Sequence, residues 1–261
     1  MLLACNLGNT DLLVGVYDGD SPCFSTRLAT SRERSADETA ILLGSVFSLY
    51  GIPVAAIDAA VVSSVVRPMN GTLSAAIETL TGVKPLFVGP GVRTGLDIRT
   101  DIASQLGADI VANAVAALSL APAPLVFVDF GTATTLTGIN AGGELCGVLI
   151  CPGVRTSLDA LSGAAAELPR IAVDGPKHLF GKNTVDSMTS GAVFGHAAMV
   201  DGLLDRVAAE WGLSELTVLA TGSWADRIVP FCSGRHGIRF QPDLTLRGLR
   251  RIAEMNARAK K

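Results

Sequence analysis

The stretch Asn6-Leu7-Gly8-Asn9-Thr10 returns 123 positions later (129 less 6) as Asp129-Phe130-Gly131-Thr132-Ala133. Each copy follows a short apolar run, Leu2 to Cys5 in the first and Leu125 to Val128 in the second. A fixed offset carried through a whole segment indicates an internal repeat, and therefore two related halves. The same offset aligns further glycines, which are Gly8 with Gly131, Gly15 with Gly138, and Gly19 with Gly142.

The two copies differ at their first residue, which is the amide Asn6 in one and the acid Asp129 in the other. A tight glycine turn between two strands exposes backbone N–H groups that suit phosphate oxygens. Asn9, Thr10 and Thr132 add side-chain donors, and an acid at a strand end can hold a cation that neutralises phosphate charge. Turn chemistry alone would also place Gly, Asn and Thr in two hairpins. The shared offset and the polar strand ends favour phosphate binding.

The composition is typical of a folded protein with two buried cores, because 49% of the 261 residues are hydrophobic and 17% are charged. The net charge of −3 gives a nucleic-acid partner no electrostatic support. No apolar run approaches the ~20 residues of a membrane span, and the start lacks the pattern of a secretory signal. The five cysteines are odd in number and lack Cys-x-x-Cys spacing. They indicate a reduced, cytoplasmic protein.

Each half is predicted to begin as a β-meander and to end in helices. Strands of the first half are predicted at Leu2–Asn6, Leu12–Tyr17, Cys23–Ala29, Ala59–Ser64 and Lys84–Val88. Its helices are predicted at Asp37–Tyr50, Pro68–Leu80 and Asp101–Leu120, the last interrupted at Gly107. Ser35 and Glu38 fit a capping box before the first helix.

The second half repeats this order after the breaker cluster Ala121-Pro122-Ala123-Pro124, which we take as the boundary between lobes 1–120 and 121–261. Its strands are predicted at Leu125–Phe130, Thr134–Ile139, Glu144–Cys151 and Leu216–Ala220, and its helices at Arg155–Ala165, Val185–Trp211 and Leu246–Ala257. The pattern predicts an α/β protein of two tandem lobes, with a ligand cleft between the glycine turns.

This arrangement resembles the actin-like (ribonuclease-H-like) superfamily of sugar kinases and heat-shock ATPases, which bind a nucleotide in the cleft between two lobes. Within that superfamily, motifs along the chain from Asn6 to about Asn256 resemble type III pantothenate kinase. They are Gly89-Pro90-Gly91-Val92-Arg93-Thr94-Gly95-Leu96, Gly107-Ala108-Asp109, Asp129-Phe130-Gly131-Thr132-Ala133-Thr134-Thr135, Pro152-Gly153, Gly181-Lys182-Asn183-Thr184, Asp201-Gly202 and Ala220-Thr221-Gly222.

The resemblance implies phosphorylation of the primary hydroxyl of pantothenate by ATP, the first step of coenzyme A synthesis. It makes Asp109 the base that accepts the hydroxyl proton. It makes Asp129 the ligand of a monovalent cation, potassium or ammonium, in addition to the magnesium that accompanies ATP. Asp109 could instead be an N-cap or a surface acid, and Thr184 could be a helix N-cap.

The resemblance also assigns the remaining site residues. The implied ATP contacts are Asn6, Gly8, Asn9, Thr10, Gly131 and Thr132. The implied pantothenate contacts are Thr100, Gly107, Ala108, Asp109, Ile110 and Thr184, and a dimer would present Thr184 to the neighbouring subunit's site.

Three residues depart from the family pattern at the implied site. Asn6 stands where the family has an acid, Ile110 where it has an arginine, and Thr100 where it has a tyrosine. An amide attracts a divalent cation far less than a carboxylate does, and an isoleucine donates no charge-assisted hydrogen bond. We therefore expect a catalytically impaired chain that completes the active site of a related partner in a heteromer. The alternatives are a self-sufficient homodimeric kinase, and a non-catalytic regulatory or binding protein that kept the fold.

Overall fold

Two β-sheets and seven α-helices form the part of the chain that the computed structural model describes, residues 1–257. The strands are β1 (Leu2–Leu7), β2 (Asp11–Asp18), β3 (Ser21–Ala29), β4 (Ala59–Ser64), β5 (Leu86–Phe87), β6 (Asp97–Ile98), β7 (Leu125–Phe130), β8 (Ala133–Ile139), β9 (Glu144–Pro152), β10 (Thr217–Thr221) and β11 (Arg239–Phe240). The helices are α1 (Ala36–Leu49), α2 (Asn70–Thr81), α3 (Ala108–Leu120), α4 (Val154–Ala164), α5 (Thr184–Glu210), α6 (Ala225–Ile228) and α7 (Leu244–Ala257). Residues 258–261 of the predicted second lobe lie outside the described residues.

The first compact unit contains a five-stranded sheet in the order β3-β2-β1-β4-β5. The β3-β2-β1 part is antiparallel, whereas β4 and β5 run parallel to β1. One face of β1, with Leu3, Cys5 and Leu7, packs in a core with Leu43 and Phe47 of α1. Because side chains alternate along a strand, Asn6 belongs to the other face of this sheet.

The second compact unit contains a six-stranded sheet in the order β11-β10-β7-β8-β9-β6. The β9-β8-β7 part is antiparallel, and β10 and β11 run parallel to β7. This order and these directions match β3-β2-β1-β4-β5 strand for strand, which confirms the predicted repeat of the meander. The additional strand β6 pairs in parallel with β9.

The register corrects one part of the predicted repeat. Four residues connect Leu7 to its partner Leu12, whereas three connect Phe130 to its partner Thr134. The offset of 123 therefore holds along β1 and β7 and falls to 122 after the turn. Gly15 and Gly138 are consequently not equivalent. Gly15 pairs with Ala4 and Gly138 pairs with Val126, and these two partners are 122 rather than 123 positions apart.

Helix α7 departs from the predicted lobe boundary, because it contacts β1, β2 and β4 and groups with the first unit. A side chain on Gly15 would meet Leu246 of this helix, at 2.7 Å from its Cδ1 atom. Residues 97–100 group with the second unit. Apart from these residues and α7, the boundary between the two units lies at Leu120, next to the predicted boundary.

Local sequence signals account for the helix ends. Ser35 and Glu38 form the predicted capping box, with Ser35 N–H donating to Glu38 Oε2 at 2.7 Å and Glu38 N–H to Ser35 Oγ at 3.2 Å. The predicted helix over Asp101–Leu120 forms only after Gly107: α3 begins at Ala108, and the segment before Gly107 contains a short 3₁₀ turn, Ala103–Gln105, instead of an α-helix. Over residues 1–257, none of the helices combines the length and the apolarity that crossing a lipid bilayer requires.

Candidate active site

The first glycine hairpin, between β1 and β2, is a tight loop closed by its own backbone. Gly8 N–H donates to Asp11 O at 2.9 Å, and Thr30, the residue after β3, donates its Oγ1–H to Gly8 O at 2.8 Å. Asn9 and Thr10 are exposed at the tip. The loop thus presents amide and hydroxyl groups to solvent in the way that phosphate binding requires.

Asn6 ends in an amide whose oxygen already has a partner. Asn6 is the neighbour of Ser63 in the parallel β1–β4 pair, and Ser63 Oγ donates to Asn6 Oδ1 at 2.7 Å. Ser63 is fully buried, so this bond is shielded from water. With its oxygen engaged, the side chain offers an –NH₂ group, which donates to anions and does not ligate cations. The amide oxygen of Asn6 is thus tied to β4, and its –NH₂ group is the hydrogen-bond donor of this side chain.

The second hairpin, between β7 and β8, is hydrogen-bonded to the start of α4. Gly131 N–H donates to Ala133 O at 3.0 Å, and Thr132 O accepts both Gly153 N–H at 3.2 Å and Thr156 Oγ1 at 2.6 Å. A Cβ atom on Gly153 would overlap the backbone of this loop, at 2.8 Å from the carbonyl carbon of Thr132. The N-terminus of α4 is thus tied directly to the predicted phosphate loop.

Asp129 lies at the end of β7, beside Thr221 of β10 in the parallel ladder. Its carboxylate is enclosed by two glycines: a Cβ atom on Gly222 would stand 2.5 Å from Asp129 Oδ1, and one on Gly131 would stand 3.5 Å from it. Gly222 has φ +99°, a backbone conformation that favours glycine. The glycine at 222 thereby lets the Thr221-Gly222 backbone pack directly against the Asp129 carboxylate and Phe130. Within the described part of the chain, no three His, Cys, Asp or Glu side chains gather to hold a metal ion.

Asp109 occupies the first turn of α3 and is half-buried. Ile110 N–H donates to Asp109 Oδ1 at 2.8 Å. Burial raises the pKa of the Asp109 carboxyl above its ordinary value, and the backbone hydrogen bonds oppose that rise only in part. The residue is therefore neither a fully exposed surface acid nor an ordinary charged helix cap, and its raised pKa suits a proton acceptor.

Gly107 makes this conformation of Asp109 sterically feasible. A Cβ atom on Gly107 would overlap Asp109 Oδ1 and would lie 3.5 Å from Val65 Cγ1. Val65 also donates its backbone N–H to Leu7 O at 3.1 Å, at the start of the first hairpin. Within the first unit, Val65 thus connects the Gly107-Ala108-Asp109 turn with the Asn6–Thr10 segment.

The remaining predicted substrate contacts fall in different places. Ala108 and Ile110 flank Asp109 and are half-buried, whereas Thr100 belongs to the second unit. The Thr100 hydroxyl oxygen is buried and has no hydrogen-bond partner within residues 1–257. Such a group is costly unless a ligand or water engages it, which is consistent with a binding role.

Thr184 is the first residue of α5 and is exposed. The interpretation of Thr184 as the N-cap is wrong, because the cap is Asn183, whose Oδ1 accepts Asp186 N–H at 2.9 Å. The hydroxyl of Thr184 is thereby left for another contact.

A cavity of about 710 Å³ adjoins Thr184 between α4 and α5. Apolar side chains of Leu158, Leu161 and Met188 form its walls, and Lys182 contributes a cation. Sequence reasoning did not identify this cavity, because its lining comes from two helices separated by a long irregular segment, and no spacing rule connects them. The one local signal was the Gly181-Lys182-Asn183-Thr184 motif, which forms part of the lining.

Comparison with known proteins gives a consistent result. Residues 2–206 match the family model described as type III pantothenate kinase. A type III pantothenate kinase from Anaeromyxobacter sp. (strain Fw109-5) is 43% identical over 256 residues, which cover 98% of this chain and 100% of the relative. One from Myxococcus xanthus is 41% identical over 256 residues, 98% of this chain and 99% of the relative.

Two solved structures show the fold alone, because their sequence identity is low. A Campylobacter jejuni protein assigned to the Baf family of transcriptional activators superposes with a TM-score of 0.58 at 18% identity, over 98% of this chain and 99% of that one. A Porphyromonas gingivalis protein assigned as an N-acetylglucosamine kinase superposes with a TM-score of 0.52 at 13% identity, over 98% of this chain and 100% of that one. The second likeness agrees with an actin-like α/β architecture of two tandem lobes.

Proposed function

This chain belongs to the type III pantothenate kinase family, and from that membership we propose that it takes part in the ATP-dependent phosphorylation of pantothenate. The product would be 4'-phosphopantothenate, formed in the first step of coenzyme A biosynthesis. A cytoplasmic location, where ATP is available, is part of this proposal. The observation that carries it is the half-buried carboxyl of Asp109, held at the start of α3 with a raised pKa.

Asp109 would act as the general base. Its Oδ1 is held by Ile110 N–H, so the second oxygen can accept the proton of the pantothenate hydroxyl. As that O–H bond breaks, the hydroxyl oxygen attacks the γ-phosphorus of ATP, the bond to the bridging oxygen breaks, and ADP leaves with the electron pair. Asp109 later releases the proton to solvent.

The two hairpins would hold the phosphates of ATP. Asn9 and Thr10 would contribute donors from the first loop and Thr132 from the second, whereas Gly8 and Gly131, whose N–H groups close the loops, would let the backbone approach the phosphates. The Asn6 amide supports this role, because its oxygen is engaged by Ser63. Magnesium would enter with ATP and keep water and phosphate oxygens as most of its ligands.

Asp129 fits a monovalent cation such as potassium or ammonium. The position of its carboxylate beside the second glycine loop, with Gly222 and Gly131 packed closely against it, supports this assignment. A cation there would supply positive charge near the phosphate loop.

We further propose that the chain works poorly alone and completes the site of a related partner chain. Ile110 brings no charge to the substrate pocket, and the Asn6 amide cannot replace a metal-binding carboxylate. One missing charged contact reduces transition-state stabilisation by roughly 2–5 kcal/mol, or on the order of 30- to 5,000-fold in rate. The exposed Thr184, next to Phe180 with 84% of its surface exposed and to the exposed Val185, supports a dimer that uses this end of α5.

The test begins with ADP release by the purified chain, with ATP, pantothenate, magnesium and potassium. If the chain turns over by itself, Asp109→Asn is expected to lower kcat about 10²- to 10⁴-fold, the usual contribution of a general base. Asp18→Asn, which changes an exposed acid at the end of β2, serves as the control and should leave kcat unchanged. Undiminished turnover by Asp109→Asn would disprove the base assignment.

Co-expression with a second family member from the same genome tests the heteromer. The pair should turn over where this chain alone is slow, and Thr184→Ala in this chain should then reduce the rate more than Asp109→Asn does. Robust turnover by the chain alone would instead identify a self-sufficient homodimer. No turnover in either form would indicate a regulatory or binding protein.

A further inference from the structure

The contacts of His196 have no part in the proposed phosphoryl transfer. Its side chain is buried, with 8% of the residue exposed, in the middle of α5. Each ring nitrogen faces a backbone carbonyl: Nδ1 is 2.8 Å from Ala192 O, and Nε2 is 3.2 Å from Pro152 O. The first contact is local to the helix, whereas the second connects α5 to the end of β9.

The Pro152 contact reaches the backbone that carries the second phosphate loop. Gly153, the next residue, donates its N–H to Thr132 O and packs without space for a side chain against that loop. Thr156, in the first turn of α4, donates to the same carbonyl at 2.6 Å. Any movement of Pro152 is therefore transmitted to Thr132 through a bonded neighbour and a close backbone contact.

The other end of the connection is the helix that begins with Thr184. Twelve residues separate Thr184 from His196 (196 less 184), which is about 18 Å along a rigid α-helix. The ring of His196 also lines the cavity between α4 and α5 that Thr184 and Lys182 border. One side chain thus connects the helix of the proposed substrate contact with the corner behind the proposed ATP loop, all within the second unit.

We propose that His196 is a positioning residue that fixes the Thr132 loop against α5, in the tautomer whose proton is on Nε2 and is donated to Pro152 O. The other tautomer, with the proton on Nδ1 and donated to Ala192 O, makes no hydrogen bond to Pro152 and is the outcome against which the experiment decides. The structural part of this inference stands without a ligand. Its consequence for nucleotide binding rests on the proposed function, because it takes Thr132 as an ATP contact.

The experiment compares two amides that replace different ring nitrogens. His196→Gln places its –NH₂ group near the position of Nε2 and can still donate to Pro152 O, whereas His196→Asn places it near Nδ1 and cannot. Amide hydrogen exchange of the full chain, measured without ligand, should show faster exchange of the peptides containing Gly131 and Gly153 in the Asn variant. The Gln variant should resemble the parent protein.

A second measurement is the affinity for a non-hydrolysable ATP analogue, determined by calorimetry. His196→Asn should weaken it by about 2- to 12-fold, the range that one hydrogen bond contributes, and His196→Gln should restore it. His236→Asn is the control, since it breaks a comparable buried contact on α5, the 3.0 Å bond from His236 Nε2 to Asp205 Oδ1. It should lower the melting temperature without changing the affinity or the exchange near Gly153.

Equal exchange near Gly153 in the Gln and Asn variants would overturn the inference, as would the same acceleration in His236→Asn. If the parent protein binds no ATP analogue, the proposed function fails, and the exchange measurement still decides the role of His196.

Discussion

The glycine at position 222 provides a sharp test of how the second strand end is built. A Cβ atom there would stand 2.5 Å from Asp129 Oδ1 and from Phe130 N, and 2.6 Å from Phe130 C. Ordinary contact begins at 3.4 Å, so alanine requires a shift of about 0.9 Å (3.4 less 2.5) against backbone atoms. Gly222 also has φ +99°, which an L side chain rarely adopts.

Two separate terms therefore oppose Gly222→Ala. The left-handed backbone costs about 1–2 kcal/mol, and overpacking adds about 1–3 kcal/mol, so the free energy of unfolding should fall by about 2–5 kcal/mol. Gly234 has φ +75° with nothing within 4 Å of its Cβ position. Gly234→Ala carries the first term alone and should reduce the free energy of unfolding by about 1–2 kcal/mol.

Urea unfolding of both variants measures the difference directly. Potassium titration of kinase turnover adds a functional measure, because the shift in Gly222→Ala displaces Asp129 and should raise the potassium concentration required. Equal loss of stability in the two variants would refute the steric reasoning. A normal potassium requirement in a destabilised Gly222→Ala would refute the role of Asp129.

Three further changes give contrasting expectations. Asp109→Asn should stabilise the protein: because its pKa is raised in the folded state, the folded protein binds more protons than the unfolded one, and stability falls as pH rises above the ordinary value of 3.8. The stability gained by the variant should thus grow in urea unfolding as pH rises from 3.8 to the folded-state pKa and stay constant above it, and a gain that shrinks with rising pH would contradict the raised pKa. Asn183→Ala should cost about 1 kcal/mol by removing the cap of α5, measured by thermal circular dichroism, with Thr184→Ala as the neutral control. Gly248→Ala should be among the most destabilising changes, since its Cβ would overlap Ala112 O where α7 crosses α3; a normal melting temperature would show that these helices separate easily.

Nine of the eleven strands in the described residues could be located from the sequence, because turn residues and apolar runs mark them locally, whereas the two-residue strands β6 and β11 could not. Ser35 and Gly107 were likewise readable, since capping and helix interruption depend on neighbours within a few residues. No local signal predicts the pairing of β6 with β9. Only two residues of each strand take part, and 47 positions separate Asp97 from Glu144 (144 less 97). The grouping of α7 depends on its contacts with β1, β2 and β4, which helical periodicity cannot reveal.

Packing between distant segments also limits what the sequence predicts about the site. It identified the candidate residues by type and motif, but the cavity between α4 and α5 and the contact of His196 with Pro152 arise from packing between distant segments. The N-cap of α5 shows that even the choice between two adjacent residues can depend on the backbone. Asn183 and Thr184 are both good N-cap residues, and only the backbone, extended at Asn183, decides between them.

The difference between Asn6 and Asp129 acquires a physical meaning from the two parallel ladders. Each residue is the last but one of the first strand of its meander, and each lies beside a hydroxyl residue of the adjacent parallel strand, Ser63 or Thr221. At Asn6 the hydroxyl of Ser63 donates to the amide oxygen and ties the side chain to β4. At Asp129 two glycines let the backbone pack close to the carboxylate. Equivalent positions in one repeated framework thus differ in polarity, with a neutral amide bonded to the neighbouring strand at one hairpin and a carboxylate at the other.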